Sequence, residues 1–170
     1  GSTFGTISVE STTDEAITIV DTDALILDEI VGNQTFISAT NGLSQAAGGF
    51  VRTGVTVFNT NGAVIDLTNA TGNTMTSIEV DDLSVAQTTA AAFRVAGDTI
   101  IAGADGASFT LTTDGNVTQT GALLAPVVDV TAADISLSVV ANTISTLTLD
   151  GDAVLVRNTA VLDFAGFNAV

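Results

Sequence analysis

The chain predicts an all-β fold, an antiparallel β-sandwich of jelly-roll or immunoglobulin-like kind built from many short strands. Three observations point there. Apolar and polar residues alternate with period two along most of the sequence. The alternating runs are short, rich in Val, Ile and Thr, and recur about every 8–12 residues. Between them stand Asn61-Gly62, Asp105-Gly106, Asp114-Gly115 and Asp150-Gly151, dipeptides that suit the positive φ angles of tight hairpins.

Taken in order, "GSTFGTISVE" opens with Gly5, Ile7 and Val9 on one side of an extended chain and Thr6 and Ser8 on the other. "STTDE" (11–15) follows as a polar link. Residues 1–15 therefore read as an extended arm, either an ordinary first strand of its own domain or one exchanged between subunits in the manner of donor-strand complementation, with Gly5, Ile7 and Val9 as the inter-subunit strand in the second case. Residues 16–170 read as a single β domain. Its strands are expected at "AITIVD" (16–21), "ALILD" (24–28), "TFISA" (35–39), "GVTVFN" (54–59), "AVIDLT" (63–68) and "SIEV" (77–80), continuing with "DTIIA" (98–102), "SFTLT" (108–112) and "NVTQT" (116–120). "VVDVT" (127–131), "DISLSVV" (134–140), "STLTL" (145–149), "AVLVRN" (153–158) and "AVLDF" (160–164) complete the series. In "ASFTLTTDGNVTQTG" (107–121), Phe109 and Leu111 face inward, Thr110 and Thr112 outward, and Asp114-Gly115 reverses the chain. Helix is expected only as one turn in "NGLSQAAGG" (41–49) and a short segment in "SVAQTTAAAFRVAG" (84–97).

A β-solenoid is the alternative architecture. No fixed period persists along the chain, and Asp-Gly turns favour antiparallel hairpins, so the sandwich is preferred. One echo exists: "VTVFNTNGAVIDL" (55–67) resembles "VLVRNTAVLDF" (154–164). In so restricted a vocabulary it reads as one strand–turn–strand solution found twice.

Composition restricts the chemistry. The chain holds no His, Cys, Lys, Tyr or Trp. That removes Ser-His-Asp and Cys-His catalysis, Schiff bases and His- or Cys-ligated zinc. "GLSQA" (42–46) is close to a nucleophile elbow, but Ser44 has no base of the usual kind. No enzymatic activity is expected. Nineteen acids against three arginines give a net charge of −16, which repels nucleic acid. The most apolar stretch, residues 122–141, is interrupted by Pro126, Asp129 and Asp134, so no membrane insertion is expected. Arg52, Arg94 and Arg157 sit in strand-like segments and are expected to pair with carboxylates. The acids cluster, and "DTD" (21–23) and "DGD" (150–152) each set two carboxylates at i and i+2. That makes Asp21, Asp23, Asp150 and Asp152 candidate Ca²⁺ ligands, although no complete ligand loop is present. No other cofactor is expected. Asn33, Asn69 and Asn116 begin glycosylation-type triplets.

A chain rich in Thr, Ala, Val, Asn, Asp and Gly, without Lys or Cys, resembles prokaryotic surface-layer proteins, adhesins and subunits of extracellular filaments. "TTDGNVTQTGALLA" (112–125) also resembles repeats of phage tail fibres. The resemblance implies a structural, self-assembling subunit at the cell surface, partnered by copies of itself and held by strand pairing between subunits. A virion fibre or head decoration protein is the second expectation, and a calcium-dependent adhesive module the third.

Overall fold

In the computed structural model, which describes residues 3–13, 15–69, 71–82 and 86–168, every strand pairs in parallel with its neighbours. The chain winds into a β-solenoid of about 8 turns. The strands are β1 (Thr6–Glu10), β2 (Ile17–Asp21), β3 (Leu25–Ala39), β4 (Leu43–Thr60), β5 (Ile65–Leu67), β6 (Thr74–Asp82), β7 (Ala90–Val95) and β8 (Thr99–Asp105). They continue as β9 (Ser108–Thr113), β10 (Val117–Gln119), β11 (Leu123–Leu124), β12 (Val127–Thr131), β13 (Asp134–Leu137), β14 (Thr146–Asp150), β15 (Ala153–Val156) and β16 (Asp163–Asn168).

The period-two alternation is real, and it fixes which side of each wall faces the core. Stacking then lines the inward residues into columns. One column runs Leu25, Leu43, Ile65, Ala91, Phe109, Val128, Leu147, Phe164. A second runs Leu67, Phe93, Leu111, Val130, Leu149, Phe167. On another wall Ile19, Ile37, Phe58, Val80, Ala104 and Leu123 stack in the same way. Phe58 meets Phe93 of another wall across the core, ring centroids 5.3 Å apart, and Phe93 meets Phe109 of the next strand on its own wall at 5.8 Å. Fully burying each such side chain contributes about 1.5–3 kcal/mol, so the core is a continuous rod of apolar contacts.

The antiparallel sandwich is therefore overturned, and the physical reason lies at the corners. Members of the first column lie 18, 22, 26, 18, 19, 19 and 17 residues apart. Corners absorb most of the insertions and register shifts inside the β1–β3, β3–β4, β6–β8 and β14–β16 pairings absorb others, so the sequence carries no constant period. Asp114-Gly115 does not reverse the chain. β9 pairs with β7 and β12, whereas β10 pairs with β8 and β13, so the dipeptide turns a corner between walls. Gly115 is there for closeness: a Cβ would overlap the Gly97 backbone of the coil before. Asn61-Gly62 does use positive φ, at +82° for Gly62.

Other expectations fall with the hairpins. Residues 43–49 belong to β4, and 90–95 form β7. Of the short helix expected over 84–97, residues 84 and 85 lie outside the described residues, and the remainder is turn and strand. Donor-strand exchange is overturned as well. β1 pairs in parallel with β3 of its own chain, Thr6 opposite Ile26 and Val9 opposite Ile30, and Ile7 and Val9 pack on the core. The echo is out of phase. Register carries Val55 through Ser77, Ile100, Thr118 and Ser136 to Leu155, not to Val154. The two segments share a vocabulary and not a facing.

Candidate functional site

The polar side chains of this solenoid join coil to coil. Two buried amide clamps do so with the same geometry. Gln45 and Gln119 stand at inward positions of β4 and β10. Asn73 and Asn142, both fully buried, lie one coil further on. In the first clamp Gln45 Nε2 donates to Asn73 Oδ1 at 2.6 Å and Asn73 Nδ2 donates to Gln45 Oε1 at 3.2 Å. Asn73 Oδ1 also accepts from Val51 N, and Nδ2 donates on to the Leu67 and Arg94 carbonyls. In the second, Gln119 Nε2 donates to Asn142 Oδ1 at 2.5 Å and Asn142 Nδ2 returns to Gln119 Oε1 at 3.0 Å. There the outer partners are Leu123 N and the Arg157 carbonyl. Every polar atom of these amides is paired, as a buried polar network requires. The signal in the sequence is an amide at an inward position, Leu43-x-Gln45 and Val117-x-Gln119. Sequence reading passed over it.

Along one corner a ladder of short side chains caps the next coil. Asp98 Oδ1 accepts from Asn116 N at 2.8 Å, Asn116 Oδ1 from Asp134 N at 3.2 Å, and Asp134 Oδ1 from Ala153 N at 3.2 Å. Neutral Asn116 separates the two carboxylates. The same alternation recurs where Asn41 bonds Asp23, Asn59 bonds Asp81 and Asn168 bonds Asp150. Stacked strands lie about 4.8 Å apart, so this placing keeps like charges from meeting at each rung.

The Ca²⁺ candidates fall into this scheme. Asp21 is 1% exposed, and its carboxylate accepts from Phe4 N at 2.7 Å and Asp23 N at 3.0 Å. Asp23 accepts from Asn41 and from Ala24 N, bonds that hold its carboxyl below the ordinary 3.8. Asp150 bonds Asn168, and Asp152 is exposed. Asp21 ends β2 and Asp23 follows it, whereas Asp150 ends β14 and Asp152 precedes β15, so the two pairs lie several coils apart and do not meet. Among the described residues no three of Asp, Glu, His or Cys gather as metal ligands. Glu79, Asp81 and Asp105 line one shallow groove beside Leu124, and Asp105 Oδ1 is buried there without a hydrogen bond.

Ser44 points outward from β4, opposite Ile26 and Asp66. Arg52 lies over the Phe50 ring, 4.1 Å from its centroid, and its Nε donates to the Gly72 carbonyl. Arg94 and Arg157 are exposed. Among the described residues no arginine lies within 4.0 Å of a carboxylate, which corrects the expectation of structural ion pairs. Asn33, Asn69 and Asn116 are exposed, and Asn69 and Asn116 already bond the backbone of other coils. Among the described residues no helix is long and apolar enough to cross a membrane.

Among the described residues β1 and β2 each pair only with β3, and β15 and β16 only with β13 and β14 respectively. No family model, curated protein or solved structure matches this chain.

Proposed function

We propose that the chain is a structural, self-assembling unit of an extracellular filament or surface layer, a rigid rod whose partners are copies of itself. The observation that supports this reading is the stack itself: parallel coils tied one to the next by buried amides and by a corner ladder of side-chain hydrogen bonds. Strand edges are templates for further pairing, and stacked parallel coils repeat in one dimension. Strand pairing between subunits then adds whole coils to whole coils, with no arm exchanged. The clamps and the corner ladder supply stiffness, since their hydrogen bonds run from one coil to the next. The acidic surface discourages lateral collapse and favours cations as counter-ions.

Antibody labelling of cells that make the chain, viewed by electron microscopy, tests this. Label on regular surface filaments or a surface lattice supports the reading. Label confined to the cell interior refutes it.

A further inference from the structure

We propose that Asn116 is a glycan-attachment site of the folded rod, taking an oligosaccharide on its side-chain nitrogen from a lipid-diphosphate-linked donor. The proposal rests on the extracellular part of the reading above and adds a covalent surface modification to it.

Three Asn-x-Thr triplets begin at Asn33, Asn69 and Asn116, each an acceptor pattern for N-linked glycans. Transfer to a folded chain needs both the amide nitrogen and the Thr hydroxyl within reach of the enzyme, and the fold treats the three triplets differently. At the first, Thr35 is 4% exposed and its Oγ1 is buried, so the hydroxyl is closed inside the stack. At the second, Asn69 Nδ2 donates to the Gln45 carbonyl of the coil before at 3.2 Å in a partly buried bond. Its nitrogen faces the neighbouring coil. At the third both groups are open. Asn116 and Thr118 are exposed, and among the described residues neither Asn116 Nδ2 nor Thr118 Oγ1 makes a hydrogen bond.

The local backbone explains the difference. Val117 is buried and pairs with Thr99 and Ile135 on the adjacent coils. Alternation then turns the residues on either side of it, Asn116 and Thr118, to the same outer face. Asn116 Oδ1 accepts from Asp134 N at 3.2 Å, which fixes the amide plane and leaves the nitrogen as its free end. Asn116, Thr118, Asp134 and Ser136 line one open groove on that face, where a first sugar ring can lie without displacing a core side chain.

The transfer is a substitution at the anomeric carbon of the sugar. A bond forms between Asn116 Nδ2 and C1, the C1–O bond to the diphosphate breaks, and the lipid diphosphate leaves with the electron pair. One Nδ2 proton passes to the base of the transferring enzyme and the other stays. Oδ1 takes no part, so the bond to Asp134 N survives. The linkage is uncharged, and Asn116 still separates Asp98 from Asp134 in the corner ladder. A bulky, solubilising glycan on this wall keeps rods apart sideways and leaves the stacking direction clear.

Trypsin separates the three triplets, because Arg52, Arg94 and Arg157 are the only basic residues. The peptide ending at Arg52 holds Asn33, residues 53–94 hold Asn69, and residues 95–157 hold Asn116. The folded chain and its tryptic digest are each incubated with an oligosaccharyltransferase and a lipid-diphosphate-linked oligosaccharide, then mapped by mass spectrometry. The digest should take sugar at all three Asn, and the folded chain on residues 95–157 alone. Asn116→Gln and Thr118→Val should each lose that sugar. Thr118→Val leaves the Asn116 bond to Asp134 in place, so its loss does not report a damaged corner. A folded chain that takes no sugar on residues 95–157, or takes as much at Asn33 or Asn69, overturns the proposal. In chain isolated from the cells that make it, the peptide 95–157 should carry the added mass of the glycan. An unmodified peptide from surface-labelled chain refutes this site alone, whereas cell-interior labelling refutes the reading beneath it.

Discussion

Replacing Asn142 with Ala should be among the most damaging single changes in this protein. Asn142 is fully buried and makes four hydrogen bonds, two with the Gln119 amide and one each with Leu123 N and the Arg157 carbonyl. Gln119 keeps other partners, since Nε2 also donates to the Gly121 carbonyl and Oε1 also accepts from Val139 N. The Leu123 N–H and the Arg157 carbonyl lose theirs. Each stranded buried group costs about 1–3 kcal/mol, so a loss of about 3 kcal/mol is expected. With a urea dependence of about 2 kcal/mol per molar, the unfolding midpoint should fall by about 1.5 M. Equilibrium unfolding followed by circular dichroism reads this directly. Asn168→Ala, which removes an exposed bond to Asp150, is the control and should move the midpoint by less than about 0.3 M. Gln119→Ala combined with Asn142→Ala should cost less than the two separate losses added, because the pair shares two bonds. If Asn142→Ala unfolds at the midpoint of the control, the clamp does not hold the coils together.

Gly121→Ala should cost more than about 3 kcal/mol, because its Cβ would overlap the Ala102 carbonyl of the coil before. Gly5→Ala should be near neutral, and thermal melts of the two proteins compare them. Raising NaCl from low to moderate concentration should raise the melting temperature, since a net charge of −16 works against compaction until it is screened; superimposable melts would refute this. Asp23 has its acidity strengthened by Asn41 and the Ala24 N–H. Its contribution is therefore present above the ordinary value of 3.8 and lost as pH falls through the lower folded value. Asp23→Asn should remove that small acid dependence in a pH titration of stability.

Much of the fold was legible locally and little of it globally. The inward set Phe109, Leu111, Val117, Val128, Val130, Leu147 and Leu149 follows from alternation alone, because period two fixes facing whichever partner a strand finds. Partner choice depends on corner conformation, and there the Asp-Gly signal misled. Glycine before an alternating run means positive φ in a hairpin, but at Gly115 it means close approach to the coil below. Two physical needs select the same residue. The clamps were hidden for a different reason: Gln45 and Asn73 are 28 residues apart, and nothing in a single sequence marks them as facing. Asp21 and Asp23 were visible as a cluster, but their bonds to Phe4 N, Asp23 N and Asn41 turn on the coil that surrounds them.

The unequal corners have a mechanical consequence. In a parallel stack the backbone hydrogen bonds point along the rod, so tension on its ends loads the coils in series and releases them one at a time. Each coil stores 17 to 26 residues of chain within a rise of about 4.8 Å. Releasing one pays out roughly 60–90 Å of contour length. The slack differs from coil to coil and is greatest between β5 and β7, where 26 residues separate Ile65 from Ala91. Such a rod yields in graded steps under load, and the buried amides at Asn73 and Asn142 mark where it should hold longest.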